Sequence, residues 1–198
     1  MARRSESPGF AWAFRDLLIA LLVVFMALAA LALVAATKAE KAGVTQGDLV
    51  FTLSWRGTGP SGSARKADVD LWVKAPGDAP VGFSHMSDAH CNLLRDDLGS
   101  TLDPQSTAQE MVVCRGLPSG EWIVDAMLYQ AHGAALPVKV TATAMRLGAG
   151  GVTTFLEQSG LLRHRGEQLT MFRFRFARGH FLPGSVNRLP MKLYGMQP

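Results

Sequence analysis

The segment Thr170–Phe176, which reads TMFRFRF, decides the fold class of most of this chain. Its phenylalanines alternate with arginines, so a β-strand would carry the aromatic side chains on one face and the cations on the other. One apolar and one charged face are typical of an antiparallel sheet that is packed on one side and solvated on the other. The segment therefore predicts an all-β domain.

Five more segments have the features of β-strands, which are either a short apolar run or an alternation of apolar and polar residues. In Asp68–Val73, apolar side chains share one face, while Asp68, Asp70 and Trp72 share the other. No amphipathic helix of useful length lies between these segments, which favours an antiparallel sandwich over residues 48–198. The five predicted strands are residues 49–55, 68–73, 111–114, 122–129 and 138–145.

The N-terminal part has a different pattern, because residues 17–36 contain no charge. Such a stretch makes a helix of about 30 Å, the thickness of the hydrocarbon core of a bilayer. We expect a cytoplasmic tail over residues 1–13, a transmembrane helix over 14–37 and a connector over 38–47. The fold class is a single N-terminal transmembrane α-helix plus an all-β antiparallel sandwich. A cleaved signal peptide is the alternative, although the apolar run exceeds the usual length of its apolar region.

The charges that flank the span indicate its orientation. Arg3, Arg4 and Arg15 precede the span, and Lys38 and Lys41 follow it. An excess of cations before the span favours a cytoplasmic N-terminus, so the C-terminal domain is exported and nucleic acid is not an expected partner.

Both cysteines, Cys91 and Cys114, lie in the exported part. An even number of cysteines in an oxidising compartment predicts one disulfide. Two buried free thiols are the alternative.

Asp16 lies at the beginning of the apolar span, where an ionisable group is costly and is therefore a functional-site hypothesis. On a helical wheel it shares its face with Ala20, Val23, Ala27 and Ala30, whereas bulky side chains occupy the opposite face. Small side chains allow close approach of helices in a membrane. We therefore expect the Asp16 face to pack against protein, which would let Asp16 exchange protons there.

The pattern of Asp16, Leu21, Leu22, Phe25 and Met26 resembles the anchor helix of the ExbD/TolR/MotB family over residues 12–36. These proteins are single-pass subunits of proton-driven rotary motors in the bacterial inner membrane. The resemblance implies that Asp16 carries the proton. It also implies that two copies of the helix sit inside a ring of a multi-pass partner similar to ExbB, TolQ or MotA, with the C-terminal domain in the periplasm.

Arg15 departs from that pattern, because a cation beside the carboxylate would hold it at the level of the headgroups. The alternative is a membrane-edge pair of Arg15 and Asp16 on an ordinary anchor.

Residues 67–145 resemble bacterial YfaP-type β-sandwich domains. The resemblance rests on Asp68–Pro76, Asp96–Gly99, Glu110 and Leu117–Trp122. It implies a fold rather than an activity.

Asp68, Asp70, Asp96 and Asp97 form a candidate calcium site, because hard cations require several oxygen ligands. The spacing is not that of an EF-hand, and the alternative is a set of outward-facing acids on strands and turns. The five histidines match no catalytic or paired metal-ligand motif, and the sequence contains no Gly-x-Ser-x-Gly elbow. We therefore expect no enzymatic activity and no cofactor other than calcium.

Two functions follow from these patterns. The first is a homodimeric subunit of a proton-driven motor, in which the sandwich acts on a periplasmic or cell-envelope component. The second is a membrane-tethered periplasmic module that binds glycan, peptide or protein and has no role in ion flow. The last third of the chain is basic, which suits an anionic polymer, lipid headgroups or an acidic protein, or is simply a solvated face.

Overall fold

The computed structural model describes residues 8–43, 48–57, 67–98, 108–148 and 151–196. The chain divides into two compact units, residues 1–46 and residues 47–198. Within the described residues the first unit holds helix α1 (Pro8–Gly43), and the second holds nine strands. The strands are β1 (Leu49–Gly57), β2 (Asp68–Lys74), β3 (Cys91–Arg95), β4 (Gln109–Cys114), β5 (Gly120–Gln130), β6 (Val138–Gly148), β7 (Gly151–Leu162), β8 (Gln168–Ala177) and β9 (His180–Asn187).

The strands form two antiparallel sheets. The first sheet has the order β3-β4-β1-β6-β7, and the second has the order β2-β5-β8-β9. Strand β1 is central in the first sheet and pairs along its length with β6. The predicted fold class, one N-terminal apolar helix with an all-β domain, is confirmed.

Strands β3, β7 and β9 are absent from the sequence prediction. All three lie at sheet edges. Strand β7 is mostly exposed, and β9 contains a proline and a glycine. An edge strand has a neighbour on one side only and need not bury a complete face, so it lacks the alternation on which the prediction depends.

Helix α1 begins at Pro8 and ends at Gly43, so it is longer than the predicted span of 14–37. The first seven residues of the predicted tail and residues 44–47 of the connector lie outside the described residues. Trp12–Leu31 has a mean hydropathy of 2.4, which is sufficient by length and composition for crossing a membrane. A signal sequence near an N-terminus has the same properties.

The core lies between the two sheets. The ring of Phe51 on β1 is 5.9 Å from that of Trp122 on β5 and 6.3 Å from that of Phe174 on β8. Phe172 and Phe176 are buried beside Phe174, as the alternation in β8 predicts. Full burial of such a side chain stabilises the fold by about 1.5–3 kcal/mol, so the inward face of TMFRFRF is a principal source of stability.

Part of the outer face of the second sheet is covered, although a solvated face was expected. Trp72, Ile123 and Met127 pack there with Leu193, which follows the last strand. Trp72 is only 3% exposed, and Asp68 and Asp70, which share its face of β2, are buried as well. Arg175 on β8 is exposed, as the alternation predicts.

Cys91 and Cys114 form the predicted disulfide. They are directly opposite one another in the β3–β4 ladder, and both are buried in the core. The bond closes a loop with a sequence separation of 23 residues, which restricts the unfolded chain.

Replacing both Cys91 and Cys114 with alanine is expected to lower the free energy of unfolding by about 3 kcal/mol, because the unfolded chain regains the entropy of the open loop. Urea unfolding of the full-length chain in detergent, followed by tryptophan fluorescence, measures the change. A reductant should destabilise the wild type and leave the double variant unchanged. Equal stability of the wild type with and without reductant contradicts the prediction.

Candidate functional site

Three carboxylates converge where the edge of the second sheet approaches the first. Asp70 belongs to β2, Asp96 follows β3, and Glu110 belongs to β4. One oxygen from each lies within 4.8 Å of the others. Asp70 is 2% exposed and Glu110 is 1% exposed. We call Asp70, Asp96 and Glu110 the carboxylate cluster.

A hydrogen bond joins the two sheets at this point. Strand β2 is at the edge of its sheet, and its Leu71 N–H donates to Glu110 Oε2 at 2.5 Å. The carboxylate of Glu110 thus accepts a hydrogen bond from a backbone N–H at the sheet edge. Without it, this N–H would be available to pair with another strand. Glu110 points inward with Val112 and Cys114 along β4, which explains how its side chain reaches β2.

The segment after β3 is attached to the beginning of β4 by a reciprocal pair of contacts. The Gln109 N–H donates to Asp97 Oδ2 at 3.2 Å, and the Asp97 N–H donates to Glu110 Oε1 at 3.4 Å. The register between β3 and β4 shifts between Leu93 and Arg95. This arrangement fixes Asp96, the neighbour of Asp97, beside Glu110.

Several carboxylate oxygens around the cluster have no hydrogen-bond partner. Among the described residues this holds for the buried atoms Asp68 Oδ1, Asp70 Oδ2 and Asp96 Oδ1. Asp68 is 6% exposed. Buried polar atoms in folded proteins are nearly always paired, so a group of unpaired carboxylate oxygens indicates a missing counterpart.

Burial and mutual repulsion disfavour the ionised forms of these acids. Loss of hydration raises the pKa of Asp70 to about 8, with further contributions from Asp68 and Asp96. Burial, followed by the charge of Asp96, raises the pKa of Asp68 to about 6, while His132 acts in the opposite direction. Burial and Asp70 also raise the pKa of Glu110 well above its ordinary value, against the effect of the Leu71 N–H. The group must therefore take up protons or a cation.

The structure assembles the candidate calcium residues differently from the sequence analysis. Asp70 and Asp96 converge, Asp68 acts on both electrostatically, and Glu110 is the third member of the cluster. Asp97 is fully buried, and its Oδ2 accepts the Gln109 N–H and lies 3.9 Å from Arg95 Nη2. The alternative, outward-facing solvated acids, does not hold for Asp68 and Asp70, because both are buried.

The sequence analysis did not include Glu110 among the candidate calcium ligands. The signal was available, because Glu110 directly precedes the predicted strand 111–114 and has the same alternation as Val112 and Cys114, so a strand extended by one residue would point Glu110 inward. Asp125 is a second buried acid that the sequence analysis left out. It lies on β5, and its Oδ2 accepts the Leu193 N–H at 3.1 Å.

Asp16 lies in α1, inside the stretch Trp12–Leu31. Its Oδ1 is 3.9 Å from Arg15 Nε, and the Arg15 guanidinium lies 4.2 Å from the centre of the Trp12 ring. The small residues of the Asp16 face are all exposed in the isolated chain. They are Ala20, Val23, Ala27 and Ala30.

The basic residues of the last third do not form a uniform free surface. Arg173 is bound by both oxygens of Glu121, with its Nη2 2.6 Å from Oε2 and its Nε 3.1 Å from Oε1. Arg163 pairs with Glu167, whereas Arg175 is exposed. A bidentate, half-buried pair such as that of Arg173 supports the sheet rather than a ligand.

An aromatic patch lies on the outer face of the second sheet. It consists of Trp72, Phe83, Tyr129 and Tyr194, whose rings are 5.2–5.8 Å apart in successive pairs. Tyr129 is 37% exposed and Tyr194 is 42% exposed. The two tyrosines therefore offer ring surface and hydroxyl groups to solvent.

No protein-family model matches the chain, and no curated protein is significantly similar to it.

In metal-free buffer the free energy of unfolding should fall as the pH rises from about 4 to about 8. The folded pKa values of Asp68, Asp70 and Asp125 are raised to about 6, 8 and 7, so the folded state retains protons that the unfolded state releases. Stability is therefore highest below the unfolded pKa and is lost as the pH passes through the folded values. We expect a loss on the order of 2 kcal/mol or more, since one pKa unit corresponds to about 1.4 kcal/mol.

Urea unfolding with EDTA at a series of pH values measures this slope. Asp70→Asn should reduce the slope up to about pH 8, whereas Asp125→Asn should reduce it only up to about pH 7. Stability that stays constant or rises over this interval contradicts the prediction.

Proposed function

We propose that the chain is a single-pass subunit of a proton-driven rotary motor in a bacterial inner membrane, with its N-terminus in the cytoplasm and its β-domain in the periplasm. The observation that carries the proposal is the position of Asp16 inside the apolar stretch Trp12–Leu31 of α1. An acid at such a position is costly unless it has a function there.

The exposure of α1 supports a partner within the membrane. None of the side chains of Trp12–Leu31 is buried by the chain itself. Lipid can cover the bulky face, but a carboxylate is stable only against protein or water. The small residues beside Asp16 permit the close approach that a partner helix needs. We infer that a second copy of this helix and a ring of a multi-pass protein surround the Asp16 face.

In this proposal Asp16 alternates between its protonated and ionised forms as the ring turns. A proton that crosses a potential of 100 mV releases about 2.3 kcal/mol, which is sufficient to bias a conformational step. Arg15 and Trp12 lie on the preceding turn, as expected for groups at the edge of the bilayer. The β-domain then transmits the motion to a component of the cell envelope.

Ala27→Leu should prevent assembly with the multi-pass partner, because the larger side chain separates helices that pack through the small face. Ala29→Leu is the matched control, since the same change falls on the opposite face of α1. Co-expression with the multi-pass membrane protein encoded nearest to this chain, followed by native mass spectrometry, measures assembly. Two copies of this chain per ring are expected for the wild type and for Ala29→Leu. Equal assembly of the two variants contradicts the proposed packing.

Asp16→Asn should abolish proton flux through the reconstituted complex and leave assembly intact, because the amide cannot carry a proton. Glu40→Gln removes a carboxylate from the same helix beyond the apolar stretch and should retain flux. A pH-sensitive dye inside proteoliposomes under an imposed potential measures the flux. Full flux in the Asp16→Asn complex contradicts a proton role for Asp16.

The aromatic patch favours a second function, that of a membrane-tethered module that binds glycan, peptide or protein. Exposed tyrosines beside a packed aromatic cluster are suited to stacking and hydrogen bonding with such ligands. In this case α1 serves only as an anchor. Exchange of residues 14–37 for an unrelated apolar helix would then leave function intact, whereas the motor proposal requires its loss.

A further inference from the structure

We propose that the β-domain binds one calcium ion through Asp70, Asp96 and Glu110, with Asp68 as a neighbouring fourth carboxylate. The proposal concerns the β-domain alone and is independent of any role of α1 in proton flux.

The spacing of the cluster suits the size of calcium. Calcium–oxygen distances are about 2.3–2.6 Å, so oxygens on opposite sides of the ion are up to about 5 Å apart. The three ligand atoms of the cluster lie within 4.8 Å of one another, inside that limit. Magnesium is usually bound through one or two carboxylates and keeps several of its waters, so a site built from three converging carboxylates favours calcium.

Asp68 provides independent support, because it is not one of the three converging residues. It is 6% exposed, and its buried Oδ1 has no hydrogen-bond partner among the described residues. The charge of Asp68 acts on Asp70, two residues further along β2 and on the same outer face. The charged groups acting on Asp70 are Asp68 and Asp96, so like charges face one another and a cation would relieve their repulsion.

The hydrogen bonds around the cluster leave ligand atoms available. Glu110 Oε2 accepts from the Leu71 N–H, and Glu110 Oε1 has a long contact of 3.4 Å with the Asp97 N–H. The Glu110 carboxyl also hydrogen-bonds the Asp96 carboxyl, so the two share a proton that a cation would displace. Asp70 Oδ2 and Asp96 Oδ1 have no partner among the residues that the structure describes. Carboxylates alone do not fill six to eight positions, so water completes the coordination.

The ion would connect three parts of the domain. Asp70 lies on the edge strand of the second sheet, Glu110 on a strand of the first, and Asp96 on the segment after β3. Since the cluster already contains the Leu71–Glu110 bond between the sheets, calcium would reinforce the same junction. Binding to the folded state alone stabilises the fold in proportion to the logarithm of the calcium concentration.

The test uses the full-length chain in detergent, freed of metal with EDTA and then dialysed. Calcium chloride is titrated by calorimetry, and terbium is used as a luminescent probe. Trp55 is a suitable sensitiser, because its indole N–H donates at 3.0 Å to the carbonyl of Ala67, the residue before Asp68. We expect one ion per chain and a melting temperature that rises with calcium. Magnesium at the same concentration should bind at least tenfold more weakly.

Asp70→Asn and Asp96→Asn should each weaken calcium binding tenfold or more. Asp125→Asn is the matched control, since it neutralises a buried carboxylate that lies outside the cluster and should leave binding unchanged. Thermal unfolding in EDTA shows whether each variant is folded. There Asp70→Asn should be at least as stable as the wild type, because it removes one of several adjacent negative charges.

Three results overturn the proposal. The first is no calcium binding by the wild type at millimolar concentration. The second is undiminished binding by both cluster variants. The third is equal affinity for magnesium and calcium, which would show that the site is not matched to calcium.

Discussion

The hydrogen bond between the Leu71 N–H and Glu110 is the interaction on which the acidic site depends. Strand β2 ends its sheet, and an edge strand with free N–H groups invites pairing with another chain. This domain covers the edge with a carboxylate from the opposite sheet. This hydrogen bond has an electrostatic cost. It requires the carboxylate of Glu110 to be buried, and there Glu110 lies close to Asp70 and Asp96.

Burial increases this cost for Asp68 and Asp70, which are 6% and 2% exposed. Asp125 is a further buried acid on the neighbouring strand β5, where its Oδ2 accepts the Leu193 N–H and holds the C-terminal segment in position. Its Oδ1 has no partner among the described residues, and the same holds for Asp68 Oδ1, Asp70 Oδ2 and Asp96 Oδ1. Asp125 differs from the carboxylate cluster in that, among the described residues, no other acid converges on it.

The alternation of apolar and polar residues predicted those strands that bury all the side chains of one face in the core. Strands β1 and β8 follow the pattern because Phe51 and Phe174 meet between the sheets. Edge strands such as β7 escaped prediction, since an exposed strand is fixed by ladder hydrogen bonds that leave no apolar period. An even number of cysteines in a domain expected to be exported predicted the disulfide, but only the structure shows that Cys91 and Cys114 lie opposite one another in one ladder. The involvement of Glu110 could have been inferred from its inward position in β4. The burial of Asp68 and Asp70 could not, because alternation within β2 does not show which other segments pack against its outer face.

The two proposals rest on one physical problem. In the membrane position proposed for α1, Asp16 lies, like the carboxylate cluster, where full hydration is unavailable, and the chain itself supplies an incomplete counterpart. For Asp16 that counterpart is Arg15, whose Nε is 3.9 Å from Asp16 Oδ1. For the carboxylate cluster it is a small set of backbone N–H groups. A proton suits a single acid that must be charged and discharged repeatedly, because it binds and leaves at one atom. A divalent cation suits several acids on different strands, because it can bind them simultaneously. The number and convergence of the acids, rather than their burial alone, thus separate the proton site proposed at Asp16 from the cation site proposed at the carboxylate cluster.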